Sequence, residues 1–211
     1  MIIFVPTLTL KEFIMSVETK TIGKYKIEII QDESPESPRT WDNLGTMVCF
    51  HNRYDLGDKH NYKSDDYNGW EEMSKAIIKN EKVGVILPLY LYDHSGITIS
   101  TGSFNCRWDS GQIGFIYVTK QKMLEEYGGK IVTKKLKDKV TEHLKGEVAT
   151  YDQYLTGDVY GYRISEVSTC DKGHEHDEEL DSCWGYYGQD SCMEEAEGMV
   201  QYYIEKEVEL V

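Results

Sequence analysis

Apolar and polar residues alternate along some stretches of the chain and recur every three or four residues along others. Alternation is typical of a strand with one buried face, and the longer spacing is typical of an amphipathic helix. Helices are predicted to begin near Trp70, Lys120 and Val132, and a last one carries the apolar stripe Met193, Ala196, Val200, Tyr203, Ile204 and Val208. The strands are predicted at 25–30, 46–50, 83–92, 97–100, 113–118, 158–167 and 179–187.

The order of these elements predicts the fold class. Two strands and a helix are followed by three strands and two helices, and then by two strands and a helix. This order favours mostly antiparallel strand pairs, and therefore an α+β fold with a mostly antiparallel sheet and three to four helices. Residues 16–211 are expected to form a single domain, in which an acidic hairpin and helix occupy 152–211. Pro88, inside the most apolar run, indicates an edge position or a bulge.

The first ten residues are apolar but have no basic start and no small-residue cleavage pattern. They therefore predict neither a signal peptide nor a membrane span. Because a polar segment follows from Ser16, we interpret residues 1–15 as an N-terminal extension, with Met15 as an alternative start of translation. Five cysteines are an odd and sparse set, which indicates reduced thiols and a cytoplasmic protein.

Charge is distributed unevenly along the chain, whose net charge is −14. Residues 1–151 carry 21 acidic and 20 basic side chains, whereas residues 152–211 carry 16 acidic and 3 basic ones. An excess of this sign argues against direct binding to nucleic acid or to an anionic membrane. It favours a basic protein surface as the partner.

The acidic segment has the charge density of a nucleic-acid backbone. Its net charge of −13 matches that of roughly 22 Å of duplex DNA, and sixty compact residues measure about 25 Å across. We therefore expect the acids to gather on one surface, although an acidic surface also keeps a protein soluble. The predicted partner-binding residues are Glu166, Glu175, Asp177, Glu178, Glu179, Asp181, Glu194, Glu195, Glu197 and Glu205.

A second cluster of chemistry-bearing residues follows the most apolar strand. Asp93, His94 and Ser95 stand together there, and Asp109 precedes another predicted strand. Acid, histidine and serine suggest a hydrolase, but adjacent side chains cannot form a catalytic triad, and the same residues are turn formers. The chain also lacks the nucleophile elbow, the phosphate loop and the zinc-protease helix motif. No catalytic residue and no cofactor are therefore predicted.

Two cysteines and two histidines lie close together in the acidic segment: Cys170, His174, His176 and Cys183. These are zinc-ligand types, but their spacing departs from the usual pairs. Two histidines one residue apart on an extended chain point to opposite faces. The acidic residues between them favour a solvated turn. No metal is predicted, and the sequence leaves open whether these four residues bind one.

Three runs of the sequence carry a family resemblance: WDNLGTMVCFH at 41–51, PLYLYDHSGIT at 88–98 and SCWGYYG at 182–188. They resemble segments of small acidic proteins encoded by bacteriophages and related mobile elements. The resemblance extends from about Tyr25 to the C-terminus. It implies an accessory protein that acts in the bacterial host cytoplasm, and it transfers no catalytic or ligand-binding residue.

Together these observations predict a non-enzymatic acidic binding protein. It is expected to inhibit a host nucleic-acid-binding defence protein, in the manner of an anti-restriction or anti-CRISPR protein, by docking onto its basic groove. One alternative is a hydrolase-like enzyme with a site around Asp93, His94 and Asp109. Another is a phage accessory or structural protein with no inhibitory role.

Overall fold

The computed structural model of the protein describes residues 16–209. Within them, eight strands form two four-stranded antiparallel sheets and four α-helices pack against the sheets, which confirms the predicted α+β fold. The described residues form two compact units: unit 1 comprises residues 16–33 and 159–209, and unit 2 comprises residues 34–158. The single domain at 16–211 stays a prediction, and the proposed extension at 1–15 lies outside the described residues.

The elements follow the predicted order, with one additional strand at the start. Among the described helices, none is long and apolar enough to span a bilayer. The strands are β1 (Ser16–Ile22), β2 (Tyr25–Gln31), β3 (Thr46–Cys49), β4 (Val83–Asp93), β5 (Ile97–Ser100), β6 (Ser110–Thr119), β7 (Val159–Thr169) and β8 (Glu175–Tyr187), and the helices are α1 (Trp70–Asn80), α2 (Lys120–Tyr127), α3 (Lys134–Thr156) and α4 (Gln189–Glu209).

Unit 1 is a sheet of order β1-β2-β7-β8 with α4 packed on one face. Ile27 of β2 and Ile164 of β7 are paired and fully buried beneath that helix. Helix α4 lays Cys192, Ala196 and Val200, spaced by four residues, against them. The predicted stripe is therefore shifted towards the start of the helix.

Strand β1 is absent from the sequence prediction because its residues show no readable pattern. Five of its seven side chains are exposed, so the segment SVETKTI lacks an apolar face. It forms the edge of the sheet and pairs only with β2, as where Lys20 lies opposite Ile27. An edge strand of this kind depends on its neighbour rather than on its own hydrophobicity.

Unit 2 is a sheet of order β3-β6-β4-β5 that is covered on both faces. Ile116 of β6 packs towards α2 and α3, which contribute Met123 and Leu144 to one core cluster. The neighbouring Phe115 points the other way and packs with Met73 of α1. Consecutive residues of β6 thus bury opposite faces, which explains why the strand is apolar without alternation.

Pro88 lacks a backbone N–H, and it lies where β4 has a paired strand on one side only. Strand β4 lies between β6 and β5, but β5 pairs only with residues from Tyr90 onwards. Pro88 therefore has only β6 as a paired neighbour, and the register shifts between Leu89 and Tyr90. Both features meet the expectation of an edge or bulge position.

Candidate functional sites

The charge imbalance of the chain belongs to unit 1. The described residues of unit 1 carry 18 acidic and 6 basic side chains, a net charge of −12. Unit 2 carries 18 acidic and 16 basic side chains, a net charge of −2. The segment that the sequence marks as acidic is therefore most of unit 1, and the β1–β2 hairpin adds three lysines to it.

Strand β8 distributes its acids to both faces of the sheet. Residues paired across antiparallel strands share a face. Asp181 lies opposite Ile164 and so on the face covered by α4, whereas Glu179 lies opposite Ser165 and contacts Arg163 on the other face. The hairpin acids thus do not form the single surface expected from the sequence. Period-two alternation along an extended strand causes this split.

Four of the ten predicted partner-binding acids already have basic partners in unit 1, and these pairs lower the local negative potential. The other six have no ion pair to a described residue: Glu175, Glu178, Asp181, Glu194, Glu195 and Glu205. The four pairs are Glu166 with Lys24 at 2.9 Å, Glu179 with Arg163 at 3.2 Å, Glu197 with Lys20 at 2.5 Å, and Asp177 with Lys26.

Glu207, which the sequence prediction omits, completes a small network at the end of α4. Its carboxylate lies 2.5 Å from the Lys24 Nζ and accepts a hydrogen bond from the Tyr25 hydroxyl at 2.7 Å. The hydrogen bonds from Lys24 and Tyr25 lower the pKa of Glu207 below its ordinary value. The network ties the last turns of α4 to the β1–β2 turn.

A concavity of about 300 Å³ lies in unit 2, where β4 ends and β6 begins. Tyr92 pairs with Ser110, so the next pair along the ladder sets Asp93 opposite Asp109. The backbone N–H of Asp93 donates to the Asp109 carbonyl at 2.8 Å. Opposed residues share a face, and both aspartates line the concavity. We call this concavity the aspartate pocket.

Two residues from the loop after β3 lie beside Asp93. The Arg53 guanidinium contacts its carboxylate, and His51 Nε2 lies 3.7 Å from it. The backbone N–H groups of Arg53 and Tyr54 donate to His51 Nδ1 at 3.2 and 3.3 Å. Because Nδ1 accepts these bonds, the neutral ring carries its proton on Nε2, which faces Asp93.

Asp109 has a separate pair of neighbours. His94 Nδ1 lies 3.3 Å from its carboxylate, and the Cys106 thiol lies at 3.7 Å. The His94 side chain is 63% exposed and is not part of the pocket lining. The structure thus places Asp93 and Asp109 in one pocket and His94 beside it. The Ser110 hydroxyl donates to the Cys106 carbonyl, so it is not directed at either histidine as a nucleophile would be.

Sequence reasoning missed His51 and Arg53 because they belong to a polar loop without a period. Their only sequence signal is the position directly after an apolar strand, where functional side chains are common. Trp108, whose side chain also lines the pocket, is 95% exposed.

A second polar network in unit 2 is buried. Arg39 makes two hydrogen bonds to Asp58, at 2.6 and 2.9 Å, and one to Glu147 at 3.2 Å. Glu147 also accepts the backbone N–H groups of Leu44 and Gly45, at 2.7 and 3.1 Å. Arg39 and Glu147 side chains are only 7% and 9% exposed. Arg39 bridges the two carboxylates, and the network anchors the loops around β3 to α3.

His143 extends this network to the surface. Its Nε2 lies 3.3 Å from Glu147, and its Nδ1 lies 2.6 Å from the Tyr127 hydroxyl. Burial, followed by the charges of Glu126 and Glu147, raises the pKa of Tyr127. With the proton of the neutral His143 ring on Nε2, facing Glu147, Nδ1 accepts from the Tyr127 hydroxyl, and the contact joins α2 to α3.

The cysteine and histidine array of the hairpin is spread along the strands. The Cys170 backbone N–H donates to the His174 carbonyl and closes the turn. His176 pairs with Ser168, whereas Cys183 pairs with Tyr162, well along the ladder. Within the described range 16–209, no group of three or more His, Cys, Asp or Glu side chains is arranged to hold a metal ion.

No protein-family model, no curated protein and no solved structure matches the chain. Its function must therefore be inferred from the sites themselves.

Proposed function

We propose that the protein is a non-enzymatic acidic binding protein that inhibits a host nucleic-acid-binding defence protein, of the anti-restriction or anti-CRISPR type. The observation that carries this proposal is the partition of charge, −12 in unit 1 against −2 in unit 2. Concentrated charge of one sign accelerates association with a basic groove and makes it sensitive to salt. The resemblance to phage-encoded acidic proteins supplies the biological setting.

The proposed contact surface is the α4 side of unit 1. Glu194 and Glu195 are exposed on α4, and Asp181 lies on the same side of the sheet. Burial, followed by the charge of Asp181 and with a smaller contribution from Glu195, raises the pKa of Tyr162 to about 12. Both carboxylates therefore lie near one tyrosine.

The opposite face of the sheet is a poorer candidate. There Asp177 and Glu179 of β8 are paired with Lys26 and Arg163. A partner would have to displace these cations before it met the carboxylates. On the α4 side, Glu178 adds a further exposed acid without an ion pair to the described residues.

A charge-matched pair of variants tests the proposal. The first variant combines Glu178→Gln, Asp181→Asn, Glu194→Gln and Glu195→Gln in unit 1. The control combines four exposed acids of unit 2: Asp65→Asn, Asp66→Asn, Glu125→Gln and Glu126→Gln. Both lose four negative charges, so only the location of the loss differs.

The measurement is phage plating on host strains that carry single restriction or CRISPR systems. Wild-type protein should restore plating on at least one strain. The unit 1 variant should lower that restoration by about tenfold, and the control should match wild type. Loss of restoration in both variants alike, or no restoration by the wild-type protein on any strain, contradicts the proposal.

The second candidate function is a hydrolase-like enzyme, and the aspartate pocket is the observation that favours it. Asp93 and Asp109 face one concavity, each beside an imidazole. A carboxylate and an imidazole in contact can accept a proton from water and return it to a leaving group. Hydrolysis of nitrophenyl esters, phosphodiesters or glycosides by wild-type protein, lost in Asp109→Asn, would support this candidate. Turnover equal in both proteins would contradict it.

A further inference from the structure

The aspartate pocket has the chemistry of a particular class of ligand. We propose that it binds a neutral polyhydroxylated ring, such as a terminal sugar of a glycan. This inference goes beyond the inhibitor function, and it names a substrate class for the second candidate function if the site is catalytic.

Hydrogen-bond donors and acceptors are interleaved on the pocket wall. Asp93 and Asp109 offer carboxylate acceptors, while Arg53 and His51 Nε2 offer donors. The 3.7 Å between His51 Nε2 and Asp93 is too long for a direct hydrogen bond. Both groups therefore retain capacity for a third partner. A hydroxyl both donates and accepts, so one hydroxyl can satisfy both.

The charges of the pocket favour a neutral ligand. An anion would meet the carboxylates of Asp93 and Asp109, and a cation would meet the Arg53 guanidinium. Nδ1 of His51 already accepts two backbone N–H groups, which leaves only Nε2 of this ring to meet a ligand. A neutral hydroxyl-rich ligand leaves the Arg53–Asp93 pair intact and gains hydrogen bonds from it.

Trp108 supplies a flat apolar face at the rim of the same pocket. Trp108 is 95% exposed and directly precedes Asp109, and both residues line the pocket. The C–H face of a sugar ring packs on an aromatic face of this kind. Beneath it, Leu91 and Ile113 are buried and form an apolar floor. A volume of about 300 Å³ lies at the small end for ligand sites and suits one ring.

The experiment uses the full chain. A glycan array identifies a bound saccharide, and calorimetric titration of that saccharide then compares variants. Trp108→Ala and Asp109→Asn should each weaken binding by about tenfold or more. Gly111→Val should abolish binding, because a side chain at 111 meets no protein atom within 4 Å and fills the pocket instead. Trp41→Ala, at another partly exposed tryptophan of unit 2, should leave binding unchanged.

Three results would overturn the inference. They are an array on which no glycan binds, a saccharide whose affinity survives Trp108→Ala and Gly111→Val, and tighter binding of inorganic phosphate or spermidine than of any saccharide. Each of these results can be distinguished from a failure of the proposed inhibitor function. The pocket residues belong to unit 2, and plating restoration by Gly111→Val should equal that of wild type.

Discussion

The two units contain the same number of acidic side chains, 18 each, but use them differently. Unit 1 keeps its ion pairs at the surface, as in Lys20–Glu197, whose side chains are 46% and 37% exposed. Unit 2 buries Arg39 and Glu147 at 7% and 9%. Exposed pairs contribute about 0–1 kcal/mol, whereas breaking a buried pair costs about 3–5 kcal/mol. The net charge of a unit thus indicates where long-range attraction to a partner acts. It does not indicate which ionic contacts stabilise the fold.

The largest expected difference between the two units is in the reactivity of a buried thiol of unit 2 and a thiol in a surface turn of unit 1. Burial, with a contribution from the charge of Asp58, raises the pKa of Cys49 in unit 2 to about 12. Hydrogen bonds from the backbone N–H groups of Lys172 and His174 lower the pKa of Cys170, in the unit 1 hairpin turn, below its ordinary value. Since the thiolate is the nucleophile, Cys170 should be alkylated at pH 8 about a thousandfold faster than Cys49.

Timed alkylation followed by peptide mass spectrometry assigns each rate. Cys192, on the buried face of α4, has a pKa raised to about 11 by burial and by Cys183. It should react only in denaturant, as Cys49 should. Comparable native rates at Cys49 and Cys170 would show that the unit 2 interior opens freely.

The next effect concerns two glycines that differ in what surrounds them. A Cβ at Gly114 of unit 2 would lie 1.9 Å from the Val48 carbonyl oxygen, which the β3–β6 ladder holds in place. A Cβ at Gly161 of unit 1 would meet the indole of Trp184, a residue that is 43% exposed, at 2.3 Å, and the Cys183 carbonyl oxygen at 2.8 Å. Gly114→Ala should destabilise by about 3 kcal/mol and Gly161→Ala by about 1 kcal/mol.

Urea unfolding measures both free energies. The difference depends on how far the neighbours must move. At Gly161 a partly exposed indole can rotate and the Cys183 carbonyl oxygen, at 2.8 Å, needs only a small shift, whereas the Val48 carbonyl oxygen lies at 1.9 Å and is held by strand pairing. Equal losses in the two variants would mean that unit 1 packs as rigidly around Trp184 as unit 2 does around β3.

A third variant tests the buried network directly. Glu147→Ala removes a carboxylate that accepts bonds from Arg39, Leu44 and Gly45. The expected loss in unfolding free energy is about 3 kcal/mol, near the lower end for a buried pair, because Asp58 keeps its bonds to Arg39. Glu142→Ala is the control on the same helix. Its carboxylate is 72% exposed and pairs with Lys145, so the loss should stay within about 0.5 kcal/mol.

Local signals explain which elements the sequence predicts well. Helix α2 begins at Lys120, as predicted, because Thr119 caps its first turn, and Gly128, at a φ of 74°, ends it. Helix α4 is found, but its buried stripe begins at Cys192, and Val208 is 73% exposed. Near a helix end, tertiary contacts rather than periodicity decide which apolar residues are buried.

The candidate sites depend on the register of strand pairing, which cannot be read from the sequence. Asp93 and Asp109 are predicted as chemistry-bearing residues, but their opposition follows from the β4–β6 pairing. The total charge of residues 152–211 can be counted from the sequence. How the acids divide between the two faces of the sheet follows from the pairing of β7 with β8, whose register shifts between Ile164 and Ser165. Composition thus predicts how much charge the segment carries, and strand pairing decides on which face of the sheet each charged side chain lies.

The smallest effect is the pH dependence of a surface network in unit 1. Hydrogen bonds from Lys24 and Tyr25 lower the pKa of Glu207 in the folded protein below 4.5, its ordinary value. The folded state then binds fewer protons than the unfolded chain. The stabilisation is therefore present above pH 4.5 and is lost as the pH falls through the lower, folded pKa. Glu207→Gln should remove this part of the decrease in the free energy of unfolding at acidic pH.

The comparison must be made as a difference between variants, because acidification has a second effect on unit 1. Protonating unpaired acids relieves repulsion within a unit of net charge −12, which opposes the loss at Glu207. Glu194→Gln is the control, since it removes an acid on the same helix without breaking an ion pair to the described residues. Urea unfolding across the acidic range should show a flatter slope for Glu207→Gln than for this control. Identical slopes would mean that the Lys24 network adds nothing, and that unit 1 is held together by its apolar face under α4 alone.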